Sequence, residues 1–197
     1  MAAREQCDGA ISEAAVPALK RALDSETFMG SRAGWLDRVA AERKSDYDKN
    51  LLYSPENSRC AIAARDTENS LDIVFEPFSE KGLRTHAEDP FVYPYEMGVE
   101  AEIGYRWSYL YVDCVSPQLK GSETRPARIM GSLKVWRSTT SDTAATREDN
   151  LVVLHSVTLA LVRKLGCVDD AGLPATPVIK PLKPTKTWPP GPIDRSG

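Results

Sequence analysis

Apolar residues follow a helical period in the first part of the chain and predict two helices there. In residues 33–42 the apolar positions have helical spacing: Trp35, Leu36, Val39 and Ala40. Ser31 precedes them and is a suitable N-cap. A shorter helix is predicted around residues 16–23, with Pro17 in its first turn, where a missing N–H is harmless.

From Cys60 onward the period changes to two, which is typical of strands that bury one face. The alternation is clearest in two segments, whose apolar positions are Leu71, Ile73 and Phe75 in the first and Ile129, Gly131, Leu133 and Val135 in the second. Residues 99–115 lie between them and are predicted to form a long strand or a hairpin. The middle of the chain is therefore expected to build an antiparallel sheet.

Helical spacing returns near Thr146, where T-x-x-D, from Thr146 to Asp149, resembles a capping box. Arg163 and Lys164 favour the negative end of the helix dipole, and Gly166 can take up the left-handed C-cap conformation. The expected core stripe of this helix is Leu151, Leu154, Thr158, Leu161, Val162 and Leu165. The pattern predicts one long C-terminal helix.

This order of elements predicts an α+β fold, an antiparallel sheet packed by N-terminal helices and the long C-terminal helix. The chain has 197 residues, of which 42% are apolar, and residues 1–172 are expected to form a single globular domain.

Half of the 14 prolines follow Gly172, so residues 173–197 are predicted to be an extended tail. The tail would serve as a spacer or as a strap along its own domain, with Trp188 as an anchor. Residues 181–186 also match a polyproline ligand, which any basic proline-rich linker does.

Charge and hydropathy limit the classes of partner. The 25 basic and 28 acidic residues leave a net charge of -3 without a basic footprint, which argues against nucleic acid. The longest apolar-rich stretch, residues 151–162, is interrupted by polar residues and is too short to span a bilayer. The first ten residues carry charge where a signal peptide would be apolar, so an exported form would need a leader or anchor upstream.

Four cysteines, Cys7, Cys60, Cys114 and Cys167, are spread through the chain without the close spacing of a zinc or redox motif. Their even number argues for two long-range disulfides and hence for an oxidising compartment. The alternative is four buried, reduced cysteines, since free cysteine is common in cores. Of the three pairings, Cys7 with Cys60 and Cys114 with Cys167 is favoured, because each bridge then joins a helix end to a nearby strand end.

Aromatic residues are concentrated in one region, at Phe91, Tyr93, Tyr95, Tyr105, Trp107, Tyr109 and Tyr111. In a strand, every second residue points to the same side, so the last four would form a row on one face. Such a row could bind sugars, peptides or other planar ligands, and we predict Tyr105, Trp107, Tyr109 and Tyr111 as binding residues. The alternative is a sheet face over which a helix packs.

Catalytic signals are few. His86 lies beside Glu88 and Asp89, a combination that suits a metal or a proton-transfer site but also a solvated loop. That loop is expected to continue through the segment PFVYPY, residues 90–95. His155 is interpreted as a partly buried structural histidine. No nucleophile elbow, phosphate loop, zinc motif or dinucleotide fingerprint occurs, so we expect no metal and no cofactor and favour a protein without catalytic activity.

Three landmarks resemble exported or lipid-anchored envelope proteins of actinobacteria. They are Cys7-Asp8-Gly9 before a short helix, Cys114 at the end of a strand, and Leu165-Gly166-Cys167 followed by Leu173-Pro174. The resemblance implies an extracytoplasmic domain with two disulfides, secreted or held on the outer face of the cytoplasmic membrane, and supplies no catalytic residue.

The leading hypothesis is an extracytoplasmic binding or interaction domain of a bacterial envelope or secreted protein, whose partner is a protein or an envelope glycan or peptide. A hydrolase that acts on envelope material around His86 is one alternative. A structural subunit of a secreted assembly, with the tail as its connector, is the other.

Overall fold

The sheet is built from residues in the middle of the chain. A computed structural model describes residues 1–30, 33–55, 58–79, 92–137 and 141–182. The strands within these residues are β1 Cys60–Ala63, β2 Ser70–Pro77, β3 Val92–Tyr95, β4 Glu100–Gly104, β5 Trp107–Cys114 and β6 Ala127–Trp136. They form one antiparallel sheet in the order β1-β2-β6-β5-β4-β3.

The helices form a second layer on one side of the sheet. They are α1 Val16–Leu23, α2 Trp35–Asp48 and α3 Ala144–Lys164, accompanied by short 3₁₀ segments at Ala3–Gly9, Glu13–Ala15 and Val168–Gly172. Helix α3 packs on β4, β5 and β6, α2 packs on β2, and α1 packs on α3. The predicted α+β fold class, with its long C-terminal helix, is confirmed. We call the helix-covered face of the sheet the inner face and the opposite one the outer face.

Alternation along β2 and β6 defines the inner face as predicted. Leu71, Ile73 and Phe75 of β2 are buried, and they pair in register with Val135, Leu133 and Gly131 of β6. Gly131 allows a close approach of the two layers. A Cβ atom there would lie 2.8 Å from Cε1 of Phe75 and 3.1 Å from Oγ1 of Thr158 on α3.

More residues of helix α3 are buried than those of its predicted core stripe. Every residue of that stripe is buried, and so are His155, Ser156 and Val157, because α1 and the adjoining N-terminal segment pack on the other side. Ser156 donates its hydroxyl to the carbonyl of Ala10 and accepts the amide of Ser12. The hydroxyl of Thr158 is satisfied by the carbonyl of Leu154, one turn earlier. Polar residues on α3 are therefore compatible with burial.

Of the two helix caps that the sequence predicts for α3, only the C-terminal one is present in the structure. Gly166 is left-handed, with a φ of +67°, and the amide of Cys167 donates to the carbonyl of Val162, which is the predicted C-cap. The predicted capping box at Thr146 is wrong. The helix begins three residues earlier than a cap at Thr146 requires, and Thr143 is the N-cap, because its side-chain oxygen accepts the amide of Thr146.

Two further sequence interpretations need correction. Helix α2 begins at Trp35, and its N-cap is Gly34, which has a left-handed conformation. The predicted N-cap, Ser31, lies outside the described residues. Val92–Tyr95 is strand β3 and not part of a loop. Pro94 is tolerated there because β3 is the last strand of the sheet, so the missing N–H breaks no ladder bond with a further strand.

The chain covers both edges of its own sheet. At β3, the amide of Leu182 donates to the carbonyl of Pro94, and the amide of Glu96 donates to the carbonyl of Lys180. At β1, the amide of Met29 donates to the carbonyl of Ala63. The described part of the proline-rich tail is therefore a strap along its own domain, one of the two predicted roles. Trp188 lies outside the described residues.

Two disulfides join the layers. Cys7, before α1, is bonded to Cys60 at the start of β1, with a Cα–Cα distance of 5.5 Å. Cys114, at the end of β5, is bonded to Cys167 just beyond α3, with a Cα–Cα distance of 5.1 Å. The favoured pairing is confirmed, and the alternative of four reduced cysteines is wrong. Two disulfides are typical of proteins in an oxidising, extracytoplasmic environment.

Candidate functional site

The predicted aromatic row begins at a hairpin that α3 holds in place. Strands β4 and β5 are joined by Tyr105 and Arg106, so residues 99–115 form a hairpin rather than one strand. Asn150 of α3 is fully buried and donates its side-chain amide to the carbonyls of Gly104 and Tyr105, at 2.9 and 3.2 Å. A buried side chain thus fixes the turn, and with it the start of β5.

The residues of the predicted aromatic row differ greatly in solvent exposure. Trp107, Tyr109 and Tyr111 all lie on the outer face of β5, but their exposed fractions are 40%, 9% and 0%. Tyr105 belongs to the turn. Only the Trp107 end of the strand's row offers extensive solvent-accessible surface.

The two buried tyrosines form a small second core on the outer face. Tyr111 meets the ring of Phe78 edge-on at 5.2 Å and donates its hydroxyl to the carboxylate of Glu102 at 3.1 Å. Phe78, Tyr109 and Tyr111 cluster with Met130, and no residue of the described helices belongs to this cluster. The alternative of a helix packed over the row is therefore wrong for the described helices.

Trp107 is part of a cluster that the sequence analysis missed. Lys134 of β6 is its partner in register, and the Lys134 ammonium lies 4.2 Å from the centroid of the Trp107 ring. The same ammonium lies 3.7 Å from the ring of Trp136, which is 46% exposed. We call Trp107, Lys134 and Trp136 the tryptophan surface. The alternation of β6 was the available signal, since it places Lys134 and Trp136 on the face opposite Leu133 and Val135.

Cationic groups border the tryptophan surface. Asp72 is in register with Lys134 on the other side of β6, and Arg59 binds its carboxylate at 3.4 Å. Arg106 is exposed directly before Trp107, with its guanidinium 5.7 Å from the ring of Tyr105. Arg59 therefore offsets the charge of the carboxylate that lies nearest to Lys134 in the strand register.

Arg137 lies just beyond β6 and has a structural role. It donates to the side-chain oxygen of Asn150 at 3.0 Å, and so supports the residue that holds the hairpin turn. Burial lowers the pKa of Arg137, and the nearby charge of Asp149 opposes that effect.

A concave region away from the tryptophan surface lies between the end of α2 and the start of β6. Its volume is about 310 Å³, and its walls include Arg43, Asp46, Tyr47, Arg125 and Arg128. Arg43 is buried and bonded to Asp46 and Ser54, at 2.9 and 2.6 Å. Desolvation lowers the pKa of Arg43, and the charges of Asp46, Glu42 and Glu76 oppose that effect. The charge of Arg43 is already balanced within the fold, so this cleft is a weaker candidate than the tryptophan surface.

The histidines offer no described catalytic centre. His86, Glu88 and Asp89 lie outside the described residues. His155 is buried and donates Nε2–H to the carbonyl of Pro174 at 2.9 Å, in agreement with its predicted structural role. In the part of the chain that the structure describes, no three His, Cys, Asp or Glu side chains are grouped to hold a metal ion. No described helix is both long and apolar enough to cross a membrane.

Fold and site together define a disulfide-bonded, two-layer α+β domain with an exposed tryptophan surface on its sheet. Comparison of the chain with protein-family models, with curated proteins and with solved structures found no match.

Proposed function

We propose that this protein is a non-enzymatic, extracytoplasmic binding domain of a bacterial envelope or secreted protein, and that its binding site is the tryptophan surface. The observation that carries the proposal is the pair of exposed indoles, Trp107 and Trp136, held on either side of Lys134. The two disulfides support the compartment, because such bonds persist where the environment is oxidising.

Rigidity makes this surface suitable for binding. Both tryptophans project from paired strands, and contact with the Lys134 ammonium restrains each ring before a ligand arrives. A ring that is already ordered loses little conformational entropy on binding, yet it buries a large area. Exposed aromatic residues on a strand-built face therefore serve binding better than they serve the stability of the domain.

Binding of the purified domain to isolated actinobacterial cell walls tests the proposal. The double variant Trp107→Ala, Trp136→Ala should weaken binding about tenfold or more, since each ring contributes on the order of 1 kcal/mol. Tyr53→Ala is the matched control, because Tyr53 is an aromatic residue that is 71% exposed and lies outside the tryptophan surface.

Circular dichroism and thermal unfolding should show that both variants remain folded. Equal binding by the wild type, the double variant and the Tyr53 control would refute the tryptophan surface as the binding site.

A further inference from the structure

The position of Lys134 indicates which ligand suits the tryptophan surface. Trp107 faces Lys134 across the β5–β6 pair, and Trp136 lies two residues farther along β6, so the two indoles are diagonal neighbours on the outer face. The Lys134 ammonium contacts both rings and is partly removed from water by them. A cation in such surroundings interacts more strongly with an incoming anion than a fully hydrated lysine does.

The neighbouring charges add to this attraction. Asp72 carries the carboxylate in register with Lys134, and Arg59 is bonded to that carboxylate and offsets its charge. Arg106 is exposed in the turn directly before Trp107. The site is locally cationic although the chain carries a net charge of -3. The attraction of an anion therefore arises at this surface and not from the charge of the whole molecule.

We propose that the ligand is an anionic glycan whose sugar rings stack on Trp107 and Trp136 while a carboxylate or phosphate substituent pairs with Lys134. This inference rests on the proposed function of the tryptophan surface. Sugar rings present apolar C–H faces that suit an indole, and their hydroxyls need polar neighbours. Ser132 and Asp72 lie on the same face and provide such neighbours.

An anionic membrane surface would also attract tryptophan and lysine. The outer face favours the glycan, because Asp72 is a diagonal neighbour of Trp136 and Ser132 is a diagonal neighbour of Trp107. Insertion into lipid would bury these polar groups without hydrogen-bond partners from water, whereas a glycan brings its own hydroxyls.

An oligosaccharide array tests the inference when each carboxylated or phosphorylated sugar is printed beside its neutral parent. The wild-type domain should bind at least one anionic member about tenfold more tightly than its parent, and added salt should reduce the difference. Lys134→Met keeps an unbranched apolar side chain between the indoles and removes the charge, so it should abolish the preference for the anion. Lys44→Met is the matched control, because Lys44 is an exposed lysine on α2, in the helix layer.

The outcomes separate this inference from the proposed function. If loss of the indoles abolishes binding but Lys134→Met has no effect, the tryptophan surface is a binding site and the anionic glycan is refuted. If neither change matters, both proposals are refuted. Binding to no anionic oligosaccharide, or tighter binding to phosphatidylglycerol vesicles than to every glycan, also overturns the inference.

Discussion

Because Gly131 of β6 has no side chain, Phe75 and Thr158 can pack directly against its backbone. A methyl group there would lie 2.8 Å from Phe75 and 3.3 Å from Leu154, so Gly131→Ala should lower the free energy of unfolding by about 1–3 kcal/mol. Ser132→Ala is the control, because Ser132 is half-buried on the outer face, and it should change stability by less than about 0.5 kcal/mol. Urea denaturation measures both. Equal losses would show that the close packing at Gly131 is not responsible.

His155 should make stability depend on pH. Desolvation lowers its pKa below the usual 6.5, and the charge of Arg163 lowers it further, while the bond to Pro174 opposes both. The unfolded chain therefore binds this proton at a higher pH than the folded protein does, so stability is full above about pH 6.5 and falls as the pH drops below it. Urea denaturation of wild type and His155→Gln at about pH 7.5 and about pH 5.5 should show a smaller loss in the variant. Identical losses would contradict this assignment.

At the scale of an element, the start of α3 distinguishes two possible caps. Thr143 accepts the amide of Thr146 at 3.1 Å, so Thr143→Ala should cost about 1 kcal/mol of stability, and Thr143→Ser should restore most of it. Thr146→Ala lies inside the helix, where alanine is favoured, and should be nearly neutral. Thermal and urea unfolding measure the three variants. A larger loss at Thr146 than at Thr143 would support the sequence-predicted cap instead.

At the scale of the whole molecule, the two disulfides should contribute similar amounts to stability. Each bridge joins residues 53 positions apart, and closing a loop of that length costs the unfolded chain roughly 4 kcal/mol in the chain-entropy model. Replacing either pair with alanine should therefore lower the free energy of unfolding by about 2–5 kcal/mol, as urea denaturation would show.

Intact mass after alkylation under denaturing conditions tests the pairing behind that prediction. All four cysteines should react only when a reductant is present. Alkylation of the four without reductant would contradict both bridges.

Features that depend on neighbours in the chain were predictable. The strands β2 and β6, the core stripe of α3 and its Gly166 cap follow from local periods and backbone preferences. The predicted N-cap of α3 was wrong because threonine is a good cap at either position, and in the structure it is Thr143 whose side-chain oxygen accepts the amide of Thr146. Strand β3 was missed because proline disfavours strands in general, and its edge position is a property of the whole sheet.

The sequence by itself determined the α+β class and the faces of β2 and β6, and its four widely spaced cysteines favoured two disulfides over reduced thiols, because these inferences depend on residue type and spacing alone. Only the tertiary structure decided which outer-face residues reach solvent. Tyr109 and Tyr111 are buried beside Phe78, whereas Trp107 remains exposed and meets Lys134 and Trp136. Burial and ring contacts of this kind depend on pairing between distant segments, which a local pattern does not specify.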